Sequence, residues 1–182
     1  MAWTSAYSAL FAKPLLTQVV AIIQRDQAAA IAAVNASLSA IAEFHFGRGP
    51  RTALPWLAIS ADGPRFAKTD DKLYRKGVAV LTLDLDVAPI DQELAQANAQ
   101  DYARVLDEII VSAGPWPVLA DWTTPLPIVH ETAPSGTTTP NAVGSIEDVF
   151  VLSHRYTSAA VEGYSSPLVR ATLQVEFTLL EE

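Results

Sequence analysis

The sequence predicts an α+β fold in which an antiparallel or mixed sheet of about four strands is covered on one face by two to three helices. Two segments have helical periodicity, and two others alternate strictly between apolar and polar residues. The elements follow the order helix, strand, strand, helix, long loop, strand, strand. The chain has 182 residues, of which 50% are hydrophobic and 18% charged, as expected for one domain spanning residues 1–182.

The first element is a helical segment at residues 14–41. Pro14 suits a first helical turn, where the N–H that proline lacks is not needed. The apolar positions at helical spacing are Leu16, Val19, Val20, Ile23, Ile31, Val34 and Leu38. Because Asp26 is also a candidate N-cap, the segment is either one long helix or two consecutive helices.

A first β-hairpin is predicted next. The run Gly47-Arg48-Gly49-Pro50 predicts a turn that breaks the helix. Residues 54–60 predict a strand near a sheet edge, because Pro55 cannot donate a ladder hydrogen bond. The charged stretch 65–76 predicts an exposed loop or hairpin tip, and residues 78–87 predict the clearest strand. One face of that strand carries Leu81, Leu83, Leu85 and Val87, and the other carries Val80, Thr82, Asp84 and Asp86.

Residues 91–112 predict a second helix. Its expected core stripe is Leu94, Ala97, Tyr102, Val105, Leu106, Ile109 and Ile110. The following segment, 114–144, contains six of the twelve prolines and many threonines. Connections this long are usually functional arms or mobile loops. We therefore predict an extended arm that contacts a partner through Trp116 and Trp122, with a solvated insertion as the alternative.

The last two predicted strands are residues 146–156 and 168–180. In the first, Phe150, Leu152, His154 and Tyr156 are predicted on one face. In the second, Val169, Ala171, Leu173, Val175, Phe177 and Leu179 are predicted inward, with Glu176 among the outward residues. Since a strand this long can pair beyond its own sheet, 168–180 is a predicted contact between copies.

Composition argues against several functional classes. The formal net charge is −8, which argues against a sequence-specific DNA reader because DNA binding depends on cationic side chains. The chain has no cysteine, so it has neither disulfides nor thiolate metal sites. The apolar stretch 15–23 is much shorter than the roughly 20 residues of a membrane-spanning helix. No membrane association is predicted.

No motif in the chain predicts catalysis. The histidines are His45, His130 and His154, and no two of them have the i,i+4 spacing of a helical metal site. His130 precedes Glu131, but a solvated loop histidine is favoured there over a metal ligand. Asp84 and Asp86 lie side by side, where paired carboxylates can act as acid and base; a solvated strand face is favoured. The prediction is no catalytic, cofactor or metal site.

The order of the elements resembles that of the tail-terminator family of long-tailed bacteriophages, also called tail-completion or tail-to-head joining proteins. The resemblance is one of topology and covers most of the chain. It is carried by the helix at 14–23, the segment 30–38 leading to Leu54-Pro55-Trp56-Leu57-Ala58-Ile59, the strand 78–87, the helix 91–112 and the strands 146–156 and 168–180. The arm at 114–144 is longer than in the simplest members.

The resemblance implies a homo-hexameric ring at the head-proximal end of a phage tail, where it ends growth of the tail tube and joins the tail to the neck. The implied partners are other copies of the chain, the tail tube protein and neck or connector proteins. Double-stranded DNA would pass through without specific binding, and neither membrane nor cofactor is implied. The expected location is the tail or neck of the virion, after synthesis in the host cytoplasm.

The acidity of the chain fits such a ring. Six copies at −8 each would carry −48, which would repel DNA phosphates across a narrow lumen. Asp84, Asp86 and Glu176 are the predicted acidic residues of the lumen wall. The alternatives are another phage neck or connector component, a non-viral assembly module, or a small enzyme built around His154, Asp84 and Asp86.

Overall fold

The computed structural model describes residues 12–47, 49–62, 65–66, 75–87, 92–113, 127–129, 142–159 and 168–181. These residues form two helices and one mixed sheet of seven strands. The elements are α1 (Ala12–Val34), β1 (Glu43–Phe46), β2 (Trp56–Ala61), β3 (Arg65–Phe66), β4 (Arg75–Val87), α2 (Gln92–Ala113), β5 (Pro127–Val129), β6 (Ala142–Ala159) and β7 (Leu168–Glu181). The α+β class is confirmed, with more strands than the four predicted.

The last strand of the chain lies in the middle of the sheet. The strand order is β1-β2-β4-β7-β6-β5, with β3 pairing to β4. β7 is antiparallel to both β4 and β6 along nearly its whole length. Because both sides of its backbone are paired within one chain, the prediction that 168–180 pairs with another copy is wrong. The outer strands are β1 and β5.

The core lies between the helices and one face of this sheet. The predicted alternation in β4 and β7 is confirmed, since Leu81, Leu83 and Leu85 in β4 face Val175, Leu173 and Ala171 in β7, all fully buried. Full burial of one such aliphatic side chain contributes about 1.5–3 kcal/mol. The two helices pack on each other and on this face.

α1 is one uninterrupted helix. The side chain of Asp26 accepts hydrogen bonds from Nε and Nη2 of Arg25 at 2.7 Å each and does not cap a second helix. The helix ends earlier than predicted, at Val34, and the side chain of the next residue, Asn35, accepts a hydrogen bond from the N–H of Ser37 at 3.0 Å. This is the local bonding by which asparagine favours turns. Leu38 and Ile41, predicted on the helix, are buried in the irregular segment after it.

The core stripe of α2 differs from the predicted one at its start. Leu94 and Ala97 are exposed, while Ala95 and Ala99 face the core. The later positions are confirmed from Tyr102 to Ile110. The hydroxyl of Tyr102 donates a hydrogen bond to the backbone oxygen of Ser39 at 2.7 Å, which holds the segment after α1 against α2.

β1 was not predicted from the sequence. Its four residues pair in parallel with β2, so β2 is an internal strand and not the expected edge. The arm predicted at 114–144 contributes β5 and the start of β6, which form a short hairpin. Trp116, Trp122 and His130 lie outside the described residues, so the predicted partner contacts stay predictions. The single-domain assignment of residues 1–182 likewise stays a prediction.

Candidate functional site

The face of the sheet opposite the helices carries a row of polar side chains. Cross-strand partners in an antiparallel sheet point to the same side. The register pairs Trp56 with Asp86, and Asp86 with Arg170, across β2, β4 and β7. It likewise pairs Asp84 with Thr172. The row therefore lies side by side on the helix-free face.

Asp86 is buried and held by two arginines. Its side chain has 0% exposure. Arg170 binds it in a bidentate manner, with Nε at 2.7 Å from Oδ1 and Nη2 at 2.9 Å from Oδ2. Arg51 donates through Nε to Oδ2 at 2.5 Å. Bidentate arginine–carboxylate pairs are among the strongest hydrogen bonds in proteins. The hydrogen bond with Asp86 raises the pKa of Arg170 above its ordinary value, against the opposing effect of burial.

This finding corrects the interpretation of Asp86 as part of a solvated face. The residue has no contact with solvent, and two guanidinium groups neutralise it, so it does not fit a charged lumen wall. Asp84 remains partly exposed at 32% and accepts a hydrogen bond from Oγ1 of Thr172 at 2.5 Å. Glu176 lies on the same face of β7 and is half-buried. The lumen assignment stays a prediction for Asp84 and Glu176.

The segment after β1 folds over Trp56 and closes one side of this cluster. The Arg51 guanidinium lies 4.6 Å from the Trp56 ring centroid, within cation–π distance. The His45 ring lies 5.1 Å from it on a tilted plane. A Cβ at Gly49 would come within 2.6 Å of the His45 ring, so a larger residue there would displace that ring. Arg51, two residues further along the chain, contacts both the Trp56 ring and the Asp86 carboxylate.

Glu43 ties the same segment to β1. Its carboxylate accepts hydrogen bonds from the backbone N–H of Thr52 at 3.1 Å and from the Thr52 hydroxyl. Burial alone would raise the pKa of Glu43. Hydrogen bonds from the amides of Thr52 and Ala53 and from His45 outweigh that effect and lower the pKa below its ordinary value of 4.5.

We expect Glu43 to make the fold acid-sensitive in a defined direction. A carboxylate whose pKa is lower in the folded state stabilises that state above pH 4.5, and the stabilisation is lost as the pH falls through the folded-state pKa. Glu43→Gln should therefore lower the melting temperature more at pH 7 than at pH 3. Melting curves of both proteins across this range test it, and an equal difference at both pH values would contradict it.

A second surface feature is an apolar groove between α2 and β6. Its cavity volume is about 570 Å³, and it is lined by Asp107, Val111, Val149, Phe150, Val151, Leu152, Ser153 and His154. Phe150, Leu152 and Val111 are 60%, 46% and 43% exposed. Five large apolar side chains are exposed among the described residues, and three of them belong to residues that line this groove.

A β-bulge shapes the groove. The register of β6 against β7 shifts between Val151 and Ser153, which leaves Leu152 without a cross-strand partner. Phe150 pairs with Glu176 on the helix-free face, whereas His154 pairs with Leu173 on the helix side. The prediction that Phe150, Leu152, His154 and Tyr156 share one face is therefore wrong, because one extra residue reverses the alternation.

The sheet separates the residues of the predicted enzyme alternative. His154 lies on the helix side, where its Nε2 is 3.8 Å from a carboxylate oxygen of Asp107 in α2. Asp84 and Asp86 lie on the opposite face. These three side chains do not form one site. Within the described ranges, no three His, Asp or Glu residues are grouped as metal ligands would be.

Sequence reasoning missed both Arg51 and Arg170 as partners of Asp86, and it missed the groove. The arginines are 119 positions apart: the sheet register places Arg170 beside Asp86, and the segment between β1 and β2 brings Arg51 to it. Arg51 directly follows the glycine-rich turn that the sequence predicts, but the sequence does not indicate that it binds Asp86. In the described part of the chain, neither helix combines the length and apolarity needed to span a bilayer.

Comparison with known proteins finds distant structural similarity to a solved structure. No protein-family model and no curated protein matches the chain. Among solved structures, a chain of the virion of a native gene transfer agent (GTA) particle matches with 13% sequence identity and a TM-score of 0.48. The match covers 98% of this chain and 99% of the other. At this level of similarity, no role in that particle carries over.

Proposed function

We propose that this protein is a structural component of a phage-like virion and acts by assembling with copies of itself. The observation that carries the proposal is the apolar groove between α2 and β6. Large exposed apolar side chains that gather in one place usually mark an interface. Val111 and Leu152 are exposed there, and Phe150 is exposed at the same part of β6 on its helix-free face. The predicted order of the elements resembles that of the tail-terminator family.

Within this class, we propose the role of a tail terminator. The protein forms a ring at the head-proximal end of the tail, ends growth of the tube and joins the tail to the neck. The element order carries this finer assignment, because two helices cover one face of a sheet whose long strands β4, β6 and β7 match the predicted segments. The tail tube protein and neck or connector proteins are the proposed partners.

The helix-free face suits a wall along which DNA moves. Asp84 and Glu176 place two partly accessible carboxylates there, whereas the Asp86 carboxylate is buried between Arg51 and Arg170 and does not face the lumen. A ring of six would carry −48 in total, and like charge keeps DNA from adhering. Double-stranded DNA would pass through such a ring without specific binding.

Imaging of the purified protein with isolated tail tubes tests the proposal. We expect rings of about six subunits at one end of each tube, and tubes that no longer elongate when tube protein is added. Mass photometry of the protein alone gives the subunit number. A protein that stays monomeric and leaves tube ends bare would overturn both the terminator role and the wider assembly role.

The arm at 114–144 favours a second candidate, another neck or connector component. Its length, with Trp116 and Trp122, exceeds what the simplest terminators have. Binding to isolated neck or portal complexes, with tube ends left bare, would identify this alternative.

A further inference from the structure

We propose that residues 49–54 form a strap that detaches as a unit when Glu43 loses its charge, and that its opening uncovers Trp56 while the sheet and helices stay folded. The strap belongs to the connection between β1 and β2 and lies over Trp56 on the helix-free face. It is a conformational switch within one chain and does not depend on the proposed assembly role.

Backbone hydrogen bonds fix the chain to β1 and β2 on either side of the strap. The N–H of Gly47 donates to the oxygen of Ile59 at 2.8 Å, and the oxygen of Pro55 accepts from the N–H of Ala42 at 2.9 Å. Gly47 has a φ of 73°, which glycine adopts without steric strain. Movement would therefore be confined to the residues between these two points.

The strap itself is held by polar contacts. Residues 49–54 are all exposed or half-buried, so the strap adds none of its side chains to the core. The N–H and hydroxyl of Thr52 donate to the Glu43 carboxylate, and the oxygen of Pro50 accepts from the indole N–H of Trp56 at 3.2 Å. Segments with few buried apolar contacts open at low free energy while the rest of a protein stays folded.

Trp56 is the side chain that the strap covers. It is 1% exposed, although Ser60, on the same face of β2, is exposed and Asp84 on β4 is half-buried. Pro50 bonds to the indole N–H, and the Arg51 guanidinium lies 4.6 Å from the ring centroid. The face is thus open to solvent nearby, and the strap shields the indole ring from water.

Opening leaves Asp86 with a partner. Arg51 would leave Asp86 together with the strap, but Arg170 binds both carboxylate oxygens, at 2.7 and 2.9 Å. Arg170 belongs to β7, which does not move with the strap. Arg51 is already 22% exposed, and its guanidinium would pass into water. The opening therefore avoids an unpaired buried charge, which is the main penalty for breaking a buried ion pair.

The charge of Glu43 keeps the strap closed, because hydrogen bonds to an ionised acceptor are roughly twice as strong as those to a neutral one. Burial alone would raise the pKa of Glu43, but the hydrogen bonds from Thr52, His45 and Ala53 lower it below its ordinary value of 4.5. Such a group stabilises the closed form above pH 4.5. That stabilisation is lost as the pH falls through the lower pKa of the closed form.

The surrounding charges act in the same direction. Among the described residues, the charged or titratable groups around the strap are Glu43, His45, Arg51, Asp84, Asp86 and Arg170. With Glu43 ionised, three carboxylates balance the two arginines and a protonated His45. When Glu43 becomes neutral, the cations are in excess by one, and the repulsion favours departure of Arg51 with the strap.

Acrylamide quenching of Trp56 fluorescence tests the switch. The full chain with phenylalanine in place of Trp3, Trp116 and Trp122 keeps Trp56 as its single tryptophan. We expect weak quenching at pH 7 and stronger quenching as the pH falls below 4.5, while the far-ultraviolet circular dichroism of the folded chain persists. Because one carboxyl group titrates, the ratio of open to closed strap should rise by at most about tenfold per pH unit.

The unaltered chain gives an independent measurement if the three substitutions disturb folding. Labelled with 5-fluorotryptophan, it shows the Trp56 resonance in ¹⁹F NMR, which Trp56→Phe identifies by its loss. The difference in chemical shift between H₂O and D₂O reports whether the ring is exposed to solvent. This difference should increase over the same pH range as the quenching.

Two variants show whether Glu43 is the group responsible. Glu43→Gln removes the titrating carboxyl group, so the rise in quenching below pH 4.5 should disappear. Glu93→Gln is the matched control, because Glu93 is exposed in the first turn of α2 and should leave the rise unchanged.

The switch is refuted if the rise persists in Glu43→Gln or disappears in Glu93→Gln. It is equally refuted if Trp56 becomes accessible only at the pH at which the circular dichroism signal is lost, since the strap would then open only with the whole fold. These outcomes leave the proposed assembly role untouched, because that role is tested by rings on tail tubes.

Discussion

Asp86→Ala is expected to lower the free energy of unfolding by about 3–5 kcal/mol, because it removes the partner of two partly buried arginines. Asp86 is fully buried, while Arg51 and Arg170 are only 22% and 23% exposed. Without the carboxylate, both guanidinium groups lose charged hydrogen bonds that water does not fully replace. Urea denaturation monitored by tryptophan fluorescence measures the change, since Trp56 lies beside the cluster.

Asp84→Ala is the matched control for this prediction. Asp84 lies two residues away on the same strand and also contacts Arg170, at 3.9 Å. Because it is partly exposed and its closest partner is Thr172, its loss should cost only about 1 kcal/mol. Equal effects at the two positions would show that the arginine–carboxylate cluster contributes no special stability.

Leu83→Ala is expected to destabilise the protein by about 2–5 kcal/mol. Leu83 is fully buried at the centre of β4, between Ile59 of β2 and Leu173 of β7. Alanine would leave a cavity that paired strands on both sides cannot close, since any movement would break ladder hydrogen bonds. For a chain of this size, each kcal/mol lowers the melting temperature by about 2–4 °C.

Leu94→Ala provides the comparison. Leu94 is 45% exposed at the start of α2, and exposed positions away from special contacts usually change stability by less than about 0.5 kcal/mol. Calorimetry of both variants distinguishes a buried leucine from an exposed one of the same chemistry. A similar melting temperature for both would contradict the position of β4 at the core.

A strand could be predicted from the sequence where its apolar and polar residues alternate regularly. β4 and β7 alternate without interruption, so both their location and their buried faces could be predicted. β6 was located correctly, but its faces could not be predicted across the bulge at Leu152, since nothing local distinguishes an inserted residue from an alternating one. β1 was missed because a four-residue strand carries too little pattern.

The same contrast holds for the candidate site. The sequence showed that Asp84 and Asp86 share a face, since that follows from a two-residue repeat alone. It could not show that Asp86 is buried, because burial depends on Arg170 from β7 and on Arg51 from the turn over Trp56. The groove was equally hidden, since it is formed by the bulged strand β6 and the far end of α2.

By itself, the sequence determined the α+β class, the two helices and the inward faces of β4 and β7, because each depends on periodicity within one segment. Only the tertiary structure decided that β7 is central, that Asp86 is buried between two arginines, and that Phe150 and Leu152 line a groove beside α2. These features depend on which segments pair and in which register. That choice is made by the packing of the whole core, which no single segment encodes.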